Sequence, residues 1–117
     1  NPRLAVENTD IIVSWDPVLM DVNGQAATPS FYLCYANKAP EGIFRYIGDT
    51  AGETSYIHQG ATENNTMFYV VIGFMGTREQ LRDFLNSRGN TVYIQPRTSP
   101  NANIIKNNQK NTIHNAP

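Results

Sequence analysis

The side chains that could carry acid–base or nucleophilic chemistry are few in this sequence, and none stands in a catalytic pattern. The single cysteine, Cys34, lies inside the apolar stretch 31–35, where a thiol is a small buried residue rather than a reactive one. The serines lie in no nucleophile-elbow context. Four acids lie near the ends of predicted strands, where solvated carboxylates are common: Glu7, Asp10, Asp16 and Asp21. We therefore predict that the protein is not an enzyme and needs no cofactor.

The possible metal ligands are isolated from one another along the chain. Asp21 opens the stretch Asp21-Val-Asn-Gly-Gln25, which looks like the start of a calcium loop but lacks the downstream glutamate that an EF-hand requires. His58 and His114 have no companions at ligand spacing. One cysteine can form neither an internal disulfide nor a cysteine cluster. The sequence therefore predicts an ordinary turn at Asp21 and no bound metal.

The charge is divided unevenly along the chain. Residues 1–87 contain all ten acids and five bases, whereas residues 88–117 contain four bases and no acid. A basic segment on an acidic body favours contact of that segment with an acidic surface, its own or a neighbour's. Four bases spread over thirty residues with one aromatic, Tyr93, form a weak nucleic-acid footprint. We predict no nucleic-acid partner, and no run is long enough to predict membrane insertion.

Short apolar or alternating runs, punctuated by turns, predict an antiparallel β-sandwich. The longest uncharged run, Thr66–Phe74, is apolar on both alternating faces and too short for a core helix, so it is interpreted as a central strand. Seven strands are predicted: Leu4–Val6, Asp10–Val18, Phe31–Ala36, Ile43–Ile47, Thr54–His58, Thr66–Phe74 and Asn90–Gln95. The fold is expected to be all-β, with one domain over residues 1–97.

A short helix is predicted before the last strand, at about residues 77–88. Thr77 can cap its start, and Gln80 stands where a capping box requires it. Its apolar stripe has the spacing i, i+3, i+4 and comprises Leu81, Phe84 and Leu85. Gly89 is expected to end the helix in the left-handed conformation.

The outer face of the predicted central sheet carries more apolar side chains than a soluble monomer usually exposes. If Trp15, Tyr32 and Tyr69 point into the sandwich, seven residues on two adjacent strands point outward: Phe31, Leu33, Tyr35, Phe68, Val70, Ile72 and Phe74. Two interpretations are open. The helix stripe covers this face alone, or the helix shares it with another protein molecule. Each buried side chain contributes roughly 1.5–3 kcal/mol, so a handful sustains a permanent interface.

Residues 98–117 have the composition of a disordered tail, with six Asn and two Pro. The apolar exceptions are Ile104, Ile105 and Ile113. The alternative interpretation is an extended arm that lies on a neighbouring subunit and adds a strand, through Ile104 and Ile105, to an open sheet edge. Exchange of arms between copies would be head-to-tail, and a version that does not close makes a filament.

Several stretches resemble, in the right order, strands of a fibronectin type III domain. They are Ile11–Val18 with its inward Trp15, Tyr32–Tyr35, Thr54–Tyr56 and Phe68–Val71. The resemblance covers Leu4–Ile94 and implies a seven-stranded sandwich that serves as a spacer or binding module, here a bacterial-type extracellular one. The predicted helix stands where the family has a short hairpin.

An extracellular or cell-surface location is what this resemblance implies. The opening Asn1-Pro2, without Met, is expected of a processed or excised chain. Asn64-Asn-Thr66 is a glycosylation sequon that matters only in a eukaryotic secreted protein. No Arg-Gly-Asp tripeptide occurs, so integrin-type recognition is not predicted.

Two hypotheses for function follow. The first is a non-enzymatic structural module that self-assembles, as a filament or surface-layer subunit, through the apolar outer face and the C-terminal arm. Its partners would be copies of itself or neighbouring domains. The alternative is a recognition module, such as an adhesin or an enzyme-accessory domain, that binds carbohydrate or protein through loops or exposed aromatic residues.

Overall fold

Two facing sheets of short strands make up the computed structural model of the protein, which describes residues 2–20, 23–64, 66–96 and 113–115. The strands are β1 (Arg3–Glu7), β2 (Asp10–Ser14), β3 (Phe31–Asn37), β4 (Gly42–Thr50), β5 (Ser55–His58), β6 (Phe68–Met75), β7 (Thr91–Ile94) and β8 (Ile113–Asn115). A 3₁₀ turn spans Ala61–Asn64, and one helix, α1 (Arg78–Phe84), continues into a π-helical turn, Leu85–Gly89. The fold is mostly β, with two sheets and one short helix, as the sequence predicts.

The smaller sheet has the strand order β1-β2-β5, and the larger has the order β7-β4-β3-β6-β8. Neighbouring strands are antiparallel, except that β8 runs parallel to β6. Alternate residues of both sheets meet between them and form an inner core. Its buried members are Ile11, Val13, Trp15, Tyr32, Cys34, Ala36, Ala61, Tyr69 and Val71.

The helix begins as its sequence predicts, but it does not end in the left-handed glycine that the sequence predicts. The Thr77 hydroxyl accepts from the Gln80 N–H, and the Gln80 side chain accepts from the Thr77 N–H, which confirms the capping box. The prediction for Gly89 is wrong, because its φ is not positive. Gly89 is buried, and a Cβ there would overlap the ring of Phe84. Among the described residues, no helix is long and apolar enough to cross a membrane.

The number of strands and the pairing of the last ones differ from the sequence prediction of seven strands. Within the described residues there are eight strands, and the seventh, β7, pairs with β4 rather than with β6. A short hairpin after β6 would have set the next strand beside it. Instead, the chain packs α1 and the π turn against the outer face, so it emerges at the far edge of the sheet. The place beside β6 is partly taken by β8.

Candidate functional site

The outer face of the larger sheet, predicted as an interface, is buried by the chain itself. Phe68 is half-buried, and the other six predicted residues are buried: Phe31, Leu33, Tyr35, Val70, Ile72 and Phe74. They form an outer core with Phe44 and Leu81, surrounded by Tyr46, Phe84, Leu85, Val92 and Ile94. Of the two interpretations of this face, the structure favours cover by the chain itself. The π turn and β7 widen the cover beyond the single helical turn that the sequence indicated.

A polar cluster attaches the start of α1 to β4. The Arg78 guanidinium Nη1 lies 3.0 Å from Oδ1 of Asp49, and the Tyr46 hydroxyl donates to Oδ2 of the same carboxylate. The Arg78 side chain also lies over the ring of Phe31, with Cζ 4.4 Å from the ring centroid. Burial raises the pKa of Tyr46, so its hydroxyl stays protonated and can donate. The cluster fixes the helix on the outer face.

The edge of β6 that faces away from β3 is only partly paired. Strand β8 pairs with Gly73–Met75, with Ile113 opposite Gly73. Along Phe68–Ile72 this edge has no strand partner among the described residues. Yet almost all of β6 is buried on both faces, as in a central strand. Tyr69, Val70, Val71 and Ile72 are at most 5% exposed as whole residues, so this edge is not open to solvent.

Strand β1 carries inward side chains that nothing in the described part of the chain covers. Leu4 and Val6 lie opposite Val13 and Ile11 in the ladder, so all four share the inward face of the sheet. Val13 and Ile11 are 0% and 6% exposed, whereas Leu4 and Val6 are 46% and 67% exposed. A sheet face that is buried on one strand and exposed on the next indicates missing cover.

The exposed side chains of β1 lie on the β6 side of the sandwich. Strand β5 lies over β4. The evidence is the hydrogen bond that the Tyr56 hydroxyl donates to the Ile47 carbonyl, with 2.7 Å between the two oxygens. In the smaller sheet β5 is followed by β2 and then β1, and in the larger sheet β4 is followed by β3 and then β6. The inner core joins β2 to β3 and β6, so the two orders run in the same direction. By this order β1 lies over the β6 side of the larger sheet, and its inward Leu4 and Val6 are only partly covered there.

The arm residues predicted as an interface fall partly outside the described residues. Ile113 begins β8, which does add a strand to a sheet edge of its own chain. Ile104 and Ile105 lie outside the described residues. So do Asp21, the start of the possible calcium loop, and the side chains of Asn64 and His114.

Catalytic chemistry finds no support in the described residues. No three His, Cys, Asp or Glu side chains there are grouped as metal ligands. Cys34 is buried, and that burial, with a smaller contribution from the Asp49 charge, raises the pKa of its thiol to about 12. A thiol with such a pKa is neutral at physiological pH and is not a nucleophile.

His58 on β5 and Tyr69 on β6 form a part-buried polar pair that joins the two sheets. His58 Nδ1 lies 2.8 Å from the Tyr69 hydroxyl, and the rings meet edge-on. Burial raises the pKa of Tyr69 to about 12, so its hydroxyl stays protonated and can donate to Nδ1 of the neutral imidazole. Burial also lowers the pKa of His58, which keeps the imidazole neutral.

The fold should lose stability as the pH falls below about 6.5, the pKa of an unfolded histidine. Below that pH the unfolded chain takes up a proton at His58 that the folded chain resists, and the loss ends at the lowered pKa of the folded state. Chemical unfolding between pH 5 and pH 8 measures this effect. The variant His58→Gln should show a flatter profile than the native chain. Parallel profiles would mean that His58 titrates alike in both states.

A second exposed apolar pair lies at the opposite edge of the larger sheet. Ile43 on β4 and Tyr93 on β7 are ladder partners and are both more than half exposed. Their ladder neighbours Phe44 and Val92 point to the other face, into the outer core. The Ile43–Tyr93 pair therefore faces away from the helix, beyond the part of the sheet that the smaller sheet covers.

Sequence reasoning did not predict the exposure of Leu4 and Val6. Alternation correctly assigned Leu4 and Val6 to a strand, but it could not show which strand lies opposite them. The length of the segment between β6 and β7 was a signal for the strand order, because it is enough for a helix to cross the sheet and place β7 beside β4.

The chain matches no protein-family model, no curated protein and no solved structure. The likeness to fibronectin type III domains therefore rests on the sequence stretches quoted above. What the protein does is inferred from its own residues.

Proposed function

We propose that the protein is a non-enzymatic structural module of the extracellular space or cell surface that assembles with copies of itself through its C-terminal arm. The observation that carries this proposal is β8, an arm segment that joins the larger sheet by main-chain pairing with Gly73–Met75. Main-chain pairing at an exposed sheet edge is a mode by which an extended segment of another chain can bind. The arm and the β6 edge are thus a donor and an acceptor within one chain.

Exchange between copies is supported by the number of residues between β7 and β8. Residues 95–112 connect β7 and β8, which lie at opposite edges of the five-stranded sheet. A connection of this length allows β8 to pair with β6 of its own copy or of a neighbour through the same contacts, which is the condition for domain swapping. Each copy donates one arm and accepts one arm, so open-ended exchange produces a filament.

The strand order supports a fibronectin type III-like relation. Strands β1, β2 and β5 share one sheet, and β3 and β6 share the other, as the corresponding strands do in immunoglobulin-like sandwiches. The difference is the last strand of the domain, which here lies beside β4. That relocation leaves the β6 edge available to the arm. The proposed extracellular location follows from the same likeness.

The dependence of mass on concentration tests the proposal. In sedimentation equilibrium the full chain should form species heavier than one 13.1-kDa chain as its concentration rises. A chain that ends at Arg97 should stay monomeric. A full-length Ile113→Pro variant, which lacks one ladder N–H, repeats the test without shortening the chain.

Circular dichroism of both variants establishes that they keep the β fold of the full chain. A full chain that is monomeric at every concentration would contradict the proposal. A folded, shortened chain that assembles as well as the full one would also contradict it.

A recognition module is the second candidate, and Tyr93 is the observation that favours it. Tyr93 is 61% exposed beside Ile43, so it offers an apolar ring face and a hydroxyl to a sugar or a protein surface. Binding to immobilised polysaccharides would then be lost in Tyr93→Ala and kept in the chain that ends at Arg97. If Tyr93→Ala still assembles and only removal of the arm abolishes assembly, the first candidate is favoured.

A further inference from the structure

We infer that strand β1 of one copy pairs antiparallel with β1 of a second copy, so that the two smaller sheets join into one continuous sheet. The contact goes beyond the proposed exchange of arms, because the residues that make it, Arg3–Glu7, do not belong to the arm. It is a second contact between copies, and it forms whether or not arms are exchanged.

Strand β1 is an open sheet edge. It stands at the end of the strand order of the smaller sheet, and β2 is its only ladder partner in the described part of the chain. All five of its residues are exposed. The main-chain groups on the side away from β2 therefore face solvent, and such a row of groups is a template for pairing with another strand.

The features that usually keep sheet edges apart are absent from β1. Its five ladder pairs with β2 keep one register, without a bulge. No proline lies within Arg3–Glu7, and the inward side chains, Leu4 and Val6, are apolar rather than charged. An edge without these features is expected to take up a partner strand.

The sequence of β1 is complementary to itself in the antiparallel direction. With a two-fold axis at Ala5, Arg3 lies opposite Glu7 of the second copy. Leu4 lies opposite Val6 of the second copy, and each of these pairs occurs twice. Opposite charges on facing residues attract, whereas a parallel alignment would place each charged residue beside its own copy. Charge therefore selects the antiparallel register.

Main-chain hydrogen bonds can form in this register. In an antiparallel ladder every second residue directs its N–H and C=O groups to a given neighbour, so the free edge of β1 presents either the even-numbered or the odd-numbered residues. Residues that face each other across the two-fold axis are both even-numbered or both odd-numbered. Donors and acceptors of one copy therefore meet acceptors and donors of the other.

The contact covers apolar side chains that are exposed in a single copy. Leu4 and Val6 are 46% and 67% exposed on the inward face, although their ladder partners on β2 are buried. In the paired strands Leu4 of each copy lies beside Val6 of the other, so the four side chains cover one another. Their exposure also shows that the larger sheet does not fill the space on this side of β1.

The acidic end of β1 gains a base in the paired strands. Glu7 faces Asp10 in the β1–β2 ladder, and like charges directly opposite each other destabilise a sheet. Arg3 of the second copy adds a positive charge beside this pair. In its own chain Arg3 contacts Asp16, with 3.2 Å between Nη1 and Oδ1, but both side chains are mostly exposed. That ion pair contributes little and can be exchanged.

One strand edge is a small contact. It is well below the size of a standard protein interface, so we expect a dissociation constant on the order of 1 mM. A chain without the arm therefore stays monomeric at the micromolar concentrations used in sedimentation and pairs only at concentrations near the dissociation constant.

Nuclear magnetic resonance of the full-length Ile113→Pro variant tests the contact, because pairing of the arm is weakened in this background. As the concentration rises from about 0.05 to about 1 mM, the amide shifts of Arg3–Glu7 should move. Those of β5, the opposite edge of the same sheet, should stay in place. Shifts that move at β5 and not at β1, or at neither edge, would overturn the inference.

An exchange of charges tests the register in the same background. Arg3→Glu and Glu7→Arg each place like charges opposite each other, so each alone should pair about tenfold more weakly. An equimolar mixture of the two should recover the pairing, because every facing pair then joins an acid to a base. Circular dichroism establishes that both variants keep the β fold.

Glu79→Arg is the matched control. Glu79 is exposed on α1, which packs on the other sheet, and its replacement changes the net charge as Glu7→Arg does. Mixed with Arg3→Glu, it should not restore pairing. Equal recovery in both mixtures, or undiminished pairing by either β1 variant alone, would overturn the contact. Arm exchange is measured at micromolar concentration in the native chain, so either contact can fail without the other.

Discussion

Replacement of Leu81 by alanine is expected to lower the free energy of unfolding by about 2–5 kcal/mol, the range for a buried leucine whose cavity cannot collapse. Leu81 is fully buried and is the central contact of α1 with the outer core. Its neighbours are held by strands on one side and by the Arg78–Asp49 ion pair at the helix start. The surroundings are therefore fixed, and little relaxation can offset the lost contacts.

Urea unfolding of the native chain, Leu81→Ala and Arg82→Ala measures this effect. Arg82 is the next residue of the same helix and is exposed, so its replacement should change the free energy by less than about 0.5 kcal/mol. Equal, small losses in both variants would mean that the helix does not cover the outer face in solution. In that case the apolar face would again be a candidate interface, and the mass of Leu81→Ala in solution would rise with concentration.

The local features of this fold are predictable from sequence because they depend on neighbouring residues. Alternation in β2 identifies Ile11 and Val13 as inward, and both are buried. The capping box of α1 needs only Thr77 and Gln80, three residues apart, and it forms as predicted. A strand with apolar residues on both faces, such as β6, has to be covered on both sides, and two cores cover it.

The pairing of the last strands is not predictable in the same way, since it depends on contacts between distant residues. Whether β7 lies beside β6 or β4 is decided by the direction in which α1 crosses the outer core. That direction depends on where Leu81 and Phe84 find space among side chains from four strands. Nothing in residues 91–94 alone distinguishes the two edges.

The sequence predicts which arm residues are apolar, but it does not predict which sheet edge they could reach. Composition marks Ile104, Ile105 and Ile113 as the apolar residues of the arm, and strand addition follows from an exposed edge. The identity of that edge requires the strand order. The exposure of Leu4 and Val6 requires knowing that β1 is the edge strand of the smaller sheet.

Replacement of Gly89 by alanine should destabilise the fold by about 1–3 kcal/mol, the usual range for overpacking a core. A Cβ at Gly89 would overlap the ring of Phe84. The ring cannot move freely, because it packs on Phe74 with centroids 5.3 Å apart. The backbone at Gly89 is equally constrained, since the buried Tyr35 hydroxyl donates to the Gly89 carbonyl at 2.6 Å.

A double-mutant cycle with Phe84→Leu separates this cause from the left-handed backbone that the sequence predicted. If steric overlap is the cause, the smaller leucine side chain makes room, and the two losses are less than additive by about 0.5–3 kcal/mol. If a left-handed backbone were the cause, the cost of alanine at position 89 would be the same with either residue at position 84, and the losses would add. Less-than-additive losses, measured by urea unfolding of the four chains, would show that the π turn needs glycine for close packing, because Gly89 brings the chain against β3 where the outer core closes.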